Sequence, residues 1–349
     1  MVESYEREVL MLSKPQVETV YGEDQRRRVG ESLLRSLSAR QRKLVCVTSG
    51  NSYFGAHLIK ELCRHGYCIR ATVQNQGDFE DMKRLLSNEE MNQLESVVVA
   101  KMGDLENLCH SFIGCHVIFH TSSFLDPHGV SGYTERTAFL ETVGSRNVIE
   151  ACGRAAYAKR CILTSSLLAS IWQPHNFDRV LDENSWSDED FCRENKLWLA
   201  LGKTRAEKAA WVKSKEMKVK LVTVCPGLVM APSFPALHHE TSLPYLKGGR
   251  TMMQRGVLAT EDVGRLAKAH VQVYEAMDYG ACGRYFCFER TIKRLEEAIQ
   301  LENGLKLPGL LSGGRNAAEN DEEIIPSGLS NSKLTRLLHN ASPPSSCRR

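Results

Sequence analysis

The sequence predicts an α/β protein built on a doubly wound parallel sheet and followed by a smaller C-terminal lobe for substrate. Short apolar runs typical of buried strands alternate with segments at helical spacing from residue 44 to residue 225. The first run ends in a turn that contains glycine and leads directly into a helix. Beyond residue 225 the alternation loosens and a proline-rich loop appears. These three observations together indicate a Rossmann-type domain with an appended lobe.

The bulk composition is that of a soluble globular protein. Of the 349 residues, 42% are hydrophobic and 25% charged, and the net charge of +3 is too small to favour nucleic acid or a membrane surface as partner. The 12 cysteines are scattered without C-x-x-C spacing, which predicts neither a metal site nor a disulfide framework. No run approaches the roughly 20 apolar residues that a membrane helix needs. We therefore expect a cytoplasmic protein that requires no metal.

Residues 1–41 are expected to form a variable, flexible N-terminal extension. They show no strong periodicity, and basic residues accumulate toward their end, at Arg26–Arg28 and Arg40–Lys43. A basic stretch of this kind is compatible with an arm that binds nucleic acid, but a solvated tail is the commoner use.

The dinucleotide-binding domain is expected over residues 42–225. Its first strand is the apolar run Leu44–Thr48, and a helix with one apolar side follows over residues 53–65. Further strands are predicted at 67–73, 96–101, 115–120, 159–165 and 219–224, with helices near 105–113, 135–156 and 196–215. Strands that alternate with helices imply parallel pairing through right-handed crossovers.

The substrate lobe is expected over residues 226–340, with residues 341–349 as a tail. A helix is predicted near 261–277, a strand near 283–288 and a helix near 291–302. Residues 304–328 are rich in glycine, asparagine and acidic residues, which predicts a flexible excursion.

The turn VTSGNSYFG carries the clearest chemical signal. A strand–turn–helix unit places backbone N–H groups and a helix N-terminus against a pyrophosphate, and glycine permits the close approach that this needs. The turn offers only two glycines, Gly50 and Gly55, so the evidence comes mainly from its position between a strand and a helix.

The chain contains eight segments whose order along the sequence is typical of one known family. They are VTSGNSYFGAHLIKELCRHGYCIRATV, GDLEN, GCHVIFHTSS, NVIEACGRA, KRCILTSS, GKTRAEKAAW, VCPGLVMAP and LSNSKLTRLL. Over residues 43–340 the chain thus resembles the extended short-chain dehydrogenase/reductases, specifically the plant cinnamoyl-CoA reductase and dihydroflavonol reductase group. It is most similar to the cinnamoyl-CoA reductase-like proteins associated with plant defence. The resemblance implies an NADP(H)-dependent reductase of a phenylpropanoid-like carbonyl or thioester, a small-molecule substrate.

The resemblance also assigns the cofactor-binding residues. The three turn glycines of the family fall on Ser49, Ser52 and Gly55, and an altered turn would use Gly50 and the Ser49 hydroxyl. The full set implied is Ser49, Gly50, Asn51, Tyr53, Phe54, Gly55, Arg70, Gln74, Asp104, Leu105, Thr121, Lys203 and Pro226.

Two parts of this set carry alternatives. Arg70 matches a basic position that holds the 2′-phosphate of NADP, but Gln74 and Glu80 replace two other basic residues, so NAD(H) is not excluded. Asp104 and Leu105 match residues beside the adenine, yet Asp104 equally suits a helix N-cap.

The catalytic machinery is only partly present. In the family a Tyr-x-x-x-Lys pair lies on one helix, where Tyr gives a proton to the substrate and Lys lowers the Tyr pKa. Lys203 matches the Lys and Ser166 matches the Ser that orients the carbonyl, but Leu199 stands at the Tyr position and Leu201 replaces a second Tyr. His120 is expected to be a core histidine, and the adjacent His238–His239 to be exposed or to line a substrate pocket.

Three functions are compatible with this pattern. Ser166, Lys203, Asp104 and Gly55 favour a reductase of low activity or with an altered proton source. Leu199 and the serines in the turn favour a catalytically impaired pseudoenzyme that binds cofactor or acts as a regulatory protein. An epimerase or dehydratase ranks last, because those reactions commonly need the missing Tyr.

Overall fold

The computed structural model describes residues 43–121, 133–174, 180–230, 244–313 and 328–341. The predicted N-terminal extension, the pair His238–His239 and the C-terminal tail lie outside the described residues, apart from Ala341 at the start of that tail. No helix within the described ranges is long and apolar enough to cross a membrane.

The described residues contain every β-strand predicted from the sequence, together with five short strands that were not predicted. They are Leu44–Val47 (β1), Cys68–Val73 (β2), Leu94–Val99 (β3), Val117–His120 (β4), Arg160–Thr164 (β5), Val180–Leu181 (β6), Lys220–Pro226 (β7), Leu228–Met230 (β8), Ala259–Asp262 (β9), Gly283–Cys287 (β10), Arg290–Thr291 (β11) and Gly328–Leu329 (β12). The central sheet has seven strands in the order β10-β7-β5-β4-β1-β2-β3, all parallel. The predicted doubly wound parallel sheet is therefore confirmed.

The helices cover both faces of this sheet. They are Tyr53–Arg64 (α1), Gln76–Leu85 (α2), Asn88–Asn92 (α3), Leu105–Ser111 (α4), Glu135–Arg154 (α5), Glu189–Glu194 (α6), Trp198–Glu216 (α7), Gly249–Gln254 (α8), Val263–Ala276 (α9), Leu295–Leu305 (α10) and Ser332–Ala341 (α11). Helices α2, α3, α6, α8 and α11 were not predicted from the sequence.

Alternation within the strands explains how both faces are filled. In β1, Val45 and Val47 belong to a core with α1 and α9, whereas Cys46 belongs to a core with α4 and α5. In β4, Phe119 likewise belongs to the core with α1 and α9, and Ile118 belongs to the core with α4 and α5. Because successive side chains point to opposite faces, a strand that is apolar throughout is buried on both.

The winding direction of the sheet changes between β1 and β4. The chain runs outward from β1 through β2 to β3 on one side, and from β4 through β5 and β7 to β10 on the other. Loops that leave two neighbouring strands in opposite directions open a crevice at their carboxyl ends, where such sheets bind ligands. Thr48 and Thr121, which directly follow β1 and β4, lie at this crevice.

The predicted boundary at residue 225 does not separate two continuous pieces of chain. Strand β10 returns to pair with β7, and α9 packs against α1, so parts of residues 226–340 complete the central domain. The lobe core in turn takes residues such as Leu168 and Leu201 from the earlier half. Sequence order alone does not reveal these crossings, because each depends on a tertiary contact.

The first residues of the segment predicted as a flexible excursion make defined contacts with α10. Helix α10 runs to Leu305, and the carboxylate of Glu302 then accepts hydrogen bonds from the backbone N–H groups of Gly309 (3.1 Å), Leu311 and Ser312 (2.7 Å). Leu311 is only 1% exposed. A buried carboxylate thus supplies the backbone partners that this glycine-rich stretch lacks.

Candidate active site

The turn after β1 keeps the shape of a phosphate-binding turn although serine replaces glycine at its first position. Ser49 has φ 51°, in the left-handed region that glycine normally occupies. The next residue has little room for a side chain, because a Cβ on Gly50 would lie 2.9 Å from Met82 Sδ and 3.0 Å from Ala71 Cβ. The left-handed residue and this glycine therefore occupy adjacent positions.

Helix α1 begins in direct contact with this turn. A Cβ on Gly55 would lie 2.4 Å from the carbonyl oxygen of Ser49, so only glycine fits there. The Ser52 hydroxyl caps the helix by accepting from the Gly55 amide at 2.9 Å. The crevice thus receives the positive end of a helix, which favours an anion such as a pyrophosphate.

The aromatic rings of the turn pack against histidines. The Tyr53 ring packs on His57 at 4.5 Å between centroids, and the Phe54 ring packs on His270 at 4.7 Å. Asn51 is half-buried beside them in the turn.

A hydrogen-bonded group joins the carboxyl ends of β1 and β4. Thr48 Oγ1 lies 3.0 Å from His120 Nδ1 and accepts from the Thr121 amide at 3.1 Å, and the Thr121 hydroxyl donates to the Thr48 carbonyl. Burial lowers the pKa of His120 to about 3, with a further contribution from the positive charge of Lys203. The expectation of a core histidine agrees with this neutral, hydrogen-bonded ring.

Lys203 is held by a buried carboxylate. Its Nζ lies 2.5 Å from Oε1 of Glu141 on α5, and the side chains of Lys203 and Glu141 are 12% and 4% exposed. One helical turn earlier, Leu199 is 8% exposed and belongs to the apolar core of the lobe together with Leu201. The Tyr position thus contributes to packing and carries no polar group.

Ser166 is the second residue after β5, at the same edge of the sheet. It is 6% exposed, and its hydroxyl caps the single-turn helix Leu167–Ala169 by accepting from the Leu168 amide at 3.2 Å. This short helix packs against α7, the helix that carries Lys203. The structure therefore brings Ser166 and the helix that carries Lys203 to one region.

Arg70 is not part of this site, which corrects its assignment to the 2′-phosphate. Its guanidinium donates to Glu95 (3.1 Å) and to the backbone oxygens of Ser111 (2.9 Å) and Ile113 (2.8 Å). These partners lie near the start of β3 and ahead of β4, at the amino edge of the sheet. A dinucleotide bound at the carboxyl edge is out of reach of this side chain.

The end of β2 presents uncharged and acidic groups. The backbone N–H of Gln74 donates to Asp78 Oδ2 at 2.9 Å, and the Glu80 carboxylate pairs with Lys83 at 3.0 Å. After β3, Asp104 caps α4 by accepting from the Asn107 amide at 3.1 Å, so the predicted capping role is confirmed.

Two further predicted residues occupy boundary positions. Leu105 is the first residue of α4. Pro226 ends β7, where it is buried opposite Cys287 of β10.

Comparison with known proteins identifies the family. The model of the 3-beta hydroxysteroid dehydrogenase/isomerase family matches residues 46–225. A cinnamoyl-CoA reductase of Petunia hybrida is 34% identical over 75% of this chain and 76% of its own length. A tetraketide alpha-pyrone reductase of Arabidopsis thaliana is 32% identical over 73% of this chain and 78% of its own.

The chain belongs to this family of extended short-chain dehydrogenase/reductases. The resemblance to cinnamoyl-CoA reductases inferred from the sequence is thereby confirmed. Solved structures agree on the fold: vestitone reductase of alfalfa has a TM-score of 0.61 at 23% identity, covering 84% of this chain and 91% of its own. Yeast methylglyoxal/isovaleraldehyde reductase, solved with NADPH, has a TM-score of 0.63 at 19% identity, covering 85% and 93%.

A buried ion pair that was not predicted from the sequence lies next to Ser165, beside the predicted catalytic Ser166. Glu207, one turn after Lys203, accepts from Arg284 Nε at 2.8 Å, from Thr223 at 2.6 Å and from Ser165 at 2.7 Å. These contacts tie α7 to β5, β7 and β10 below the Ser position. The sequence signal that could have found this ion pair is the charge of Glu207 within an otherwise apolar helix face.

Two other residues near Lys203 were missed because they are distant in the sequence. Glu141 lies on α5, and nothing in the spacing of that helix marks it as the partner of Lys203. Tyr133, which precedes α5, packs against α7: its hydroxyl would lie 3.0 Å from a Cβ placed on Gly202. The half-buried Tyr133 phenol thus lies beside α7, on the face toward α5.

Proposed function

We propose that this protein is an NADP(H)-dependent reductase of a phenylpropanoid-like carbonyl or thioester compound, with a weakened apparatus for proton transfer. The observation that carries the proposal is the joint placement of the α1 N-terminus, Ser166 and Lys203 at the carboxyl edge of the sheet, around the crevice between β1 and β4. Membership of the cinnamoyl-CoA reductase family supports the reaction class.

The residues present fit a dinucleotide at its pyrophosphate. At Gly55, where a Cβ would collide with the Ser49 carbonyl oxygen, the backbone is bare at the start of α1, as close phosphate contact requires. They fit the 2′-phosphate of NADP less well, because Arg70 is engaged at the opposite edge and Gln74 has no charge. Both NADPH and NADH therefore belong in any binding experiment.

The nicotinamide cofactor, when bound, supplies the hydride for the reduction. The Ser166 hydroxyl, which uses a lone pair to cap the next helix, keeps its proton to donate to a substrate carbonyl. Leu199 has no proton to give, and loss of a positioned general acid typically costs roughly 10²–10⁴ in rate. Delivery of the proton then falls to Ser166 or to water, which predicts slow turnover.

A second candidate, a cofactor-binding regulatory pseudoenzyme, is favoured by one specific observation. Leu199 is part of the lobe core and Lys203 is paired with a buried carboxylate, so two catalytic positions serve packing and ion pairing.

A defence-related role, suggested by the resemblance, suits either candidate. A cytoplasmic location is also proposed, since the cysteines of the described residues are free thiols.

The two candidates are separated by measuring binding and turnover on one preparation. NADPH and NADH are titrated while cofactor fluorescence is followed, and hydroxycinnamoyl-CoA esters and aldehydes are then supplied with the better cofactor. Binding with slow, enzyme-dependent product formation supports the reductase. Binding without product supports the pseudoenzyme, and absence of binding rejects both.

A further inference from the structure

The ion pair between Lys203 and Glu141 has consequences beyond the loss of the catalytic Tyr. The pair joins α7 to α5 at 2.5 Å, with side chains 12% and 4% exposed. Water therefore screens it little, and the two opposite charges act on their surroundings as a dipole rather than as a single cation.

A lysine in this position normally acts through its positive charge. It stabilises the ionised form of a Tyr one turn earlier on the same helix, which brings the Tyr pKa toward the working pH. A carboxylate in contact with the ammonium group opposes that effect, because the negative charge raises the pKa of the same phenol. The site thus lacks a phenol at position 199, and its lysine is paired with a carboxylate.

The described neighbours of the pair include a histidine and apolar side chains. His120 is close enough for the Lys203 charge to lower its pKa, and it is neutral. Leu199 and Leu201 continue the apolar lobe core along α7. A phenol introduced at position 199 would therefore respond mainly to Lys203 and Glu141.

We propose that Glu141 is a positioning residue that holds Lys203 and cancels its electrostatic effect on position 199. The inference rests on the proposed function, since it concerns the reductase site. It follows that replacing Leu199 by Tyr is insufficient to restore proton transfer, whereas the same replacement combined with Glu141→Gln restores it. Gln keeps the size and a hydrogen-bonding oxygen for Lys203 but removes the charge.

The test compares Leu199→Tyr, Leu199→Tyr/Glu141→Gln and Leu199→Tyr/Glu135→Gln in the full chain. Glu135 is an exposed residue in the first turn of α5 and controls for loss of a carboxylate on that helix. The pKa of the introduced tyrosine is read from tyrosinate absorbance, with the matching Leu199 protein subtracted. We expect it to be lower by about one unit or more with Glu141→Gln than with Glu135→Gln. Equal values would overturn the proposal.

A further variant, which removes both charges of the pair, tests the proposal if the Glu141→Gln protein does not fold. In Leu199→Tyr/Glu141→Leu/Lys203→Met, apolar side chains replace the pair, a change that buried ion pairs often tolerate. If the pair is electrostatically cancelled, the introduced phenol titrates within about half a unit of its pKa in Leu199→Tyr. A pKa higher by a full unit or more would show that Lys203 acts uncancelled, and would contradict the proposal.

Turnover is a second readout and separates this inference from the proposed function. With NADPH and a hydroxycinnamoyl-CoA ester, the Leu199→Tyr/Glu141→Gln protein is expected to exceed Leu199→Tyr by about tenfold or more in kcat. A pKa shift without turnover in any variant would reject the reductase function while the role of Glu141 stands. Turnover restored by Leu199→Tyr alone, with no further gain from Glu141→Gln, would reject the role of Glu141.

Discussion

At Gly55 the backbone of α1 approaches β1 so closely that an added methyl group would lie 2.4 Å from the Ser49 carbonyl oxygen. We predict that Gly55→Ala weakens NADPH binding by about tenfold or more and lowers the free energy of unfolding by about 1–3 kcal/mol, because the turn must move. Fluorescence titration and urea unfolding measure the two effects. Gly103→Ala is the control, since a Cβ there meets nothing within 4 Å. Unchanged binding in Gly55→Ala would contradict the placement of the cofactor.

Gln74 is expected to lie beside a different part of the same cofactor, the 2′-phosphate of NADP. At the end of β2 it replaces an Arg expected from the family, and Arg70 does not compensate because it is bound at the amino edge. We predict that Gln74→Arg improves the Kd of NADPH about tenfold relative to NADH, since a guanidinium pairs with a phosphate through two hydrogen bonds. The measurement is a pair of fluorescence titrations.

The control for this change is Gln76→Arg, which adds the same charge two residues later, on α2 near Glu80. An equal gain in NADPH affinity in both variants would show a general charge effect and would contradict the role given to Gln74.

At the scale of elements, the buried pair of Glu207 and Arg284 connects α7 with β10. Arg284 is 6% exposed, donates to Glu207 at 2.8 Å and stacks on Trp186 at 3.8 Å from the ring centroid. We predict that Arg284→Met lowers the free energy of unfolding by about 3–5 kcal/mol, because it leaves a buried carboxylate without its cation. Urea unfolding measures the loss.

Two further variants help to interpret the stability loss of Arg284→Met. Adding Glu207→Gln to Arg284→Met is expected to recover part of the stability, because the uncompensated charge disappears. Arg84→Met breaks an exposed pair with Asp81 and is expected to cost about 1 kcal/mol or less. A loss from Arg284→Met no larger than that from Arg84→Met would show that the network does not support the site.

Several elements could be predicted from the sequence for a clear physical reason. β1, β4 and β5 are apolar on both faces, and α1 and α9 have one apolar side, so their patterns are independent of distant contacts. Helix α2 was missed because it is mainly polar outside Phe79 and Met82. Its N-cap Asn75 was a signal that the sequence did offer.

The candidate site was predictable only where one short motif specified it. Ser166 and Lys203 were found because each lies in a recognisable segment, and the structure places them at one edge of the sheet. Glu141 and Arg284 were missed because each acts on a residue more than 60 positions away in the chain. Arg70 was misassigned because its position in β2 does not reveal toward which edge its side chain extends.

For the molecule as a whole, buried histidines make stability depend on pH. Burial lowers the pKa of His120 to about 3 and of His270 to about 4, whereas an unfolded histidine titrates near about 6.5. As the pH falls from about 6.5 to about 4, the unfolded chain therefore binds protons that the folded protein does not, and the free energy of unfolding falls.

We predict that His270→Gln flattens this pH dependence, while His110→Gln, on the surface, leaves it unchanged. The measurement is urea unfolding at a series of pH values, comparing slopes rather than absolute stabilities. An equal slope in His270→Gln and the unmodified protein would contradict the assignment of a neutral, buried ring.

The central claim is that the crevice binds a nicotinamide dinucleotide and still transfers hydride, slowly, without a Tyr at position 199. The most direct measurement is a long incubation of the unmodified protein with NADPH deuterated at the transferable position and a hydroxycinnamoyl-CoA ester, followed by mass spectrometry of the product. The account predicts deuterium in the product, with Gly55→Ala protein giving much less. Bound cofactor with no labelled product would contradict it and would identify the protein as a pseudoenzyme.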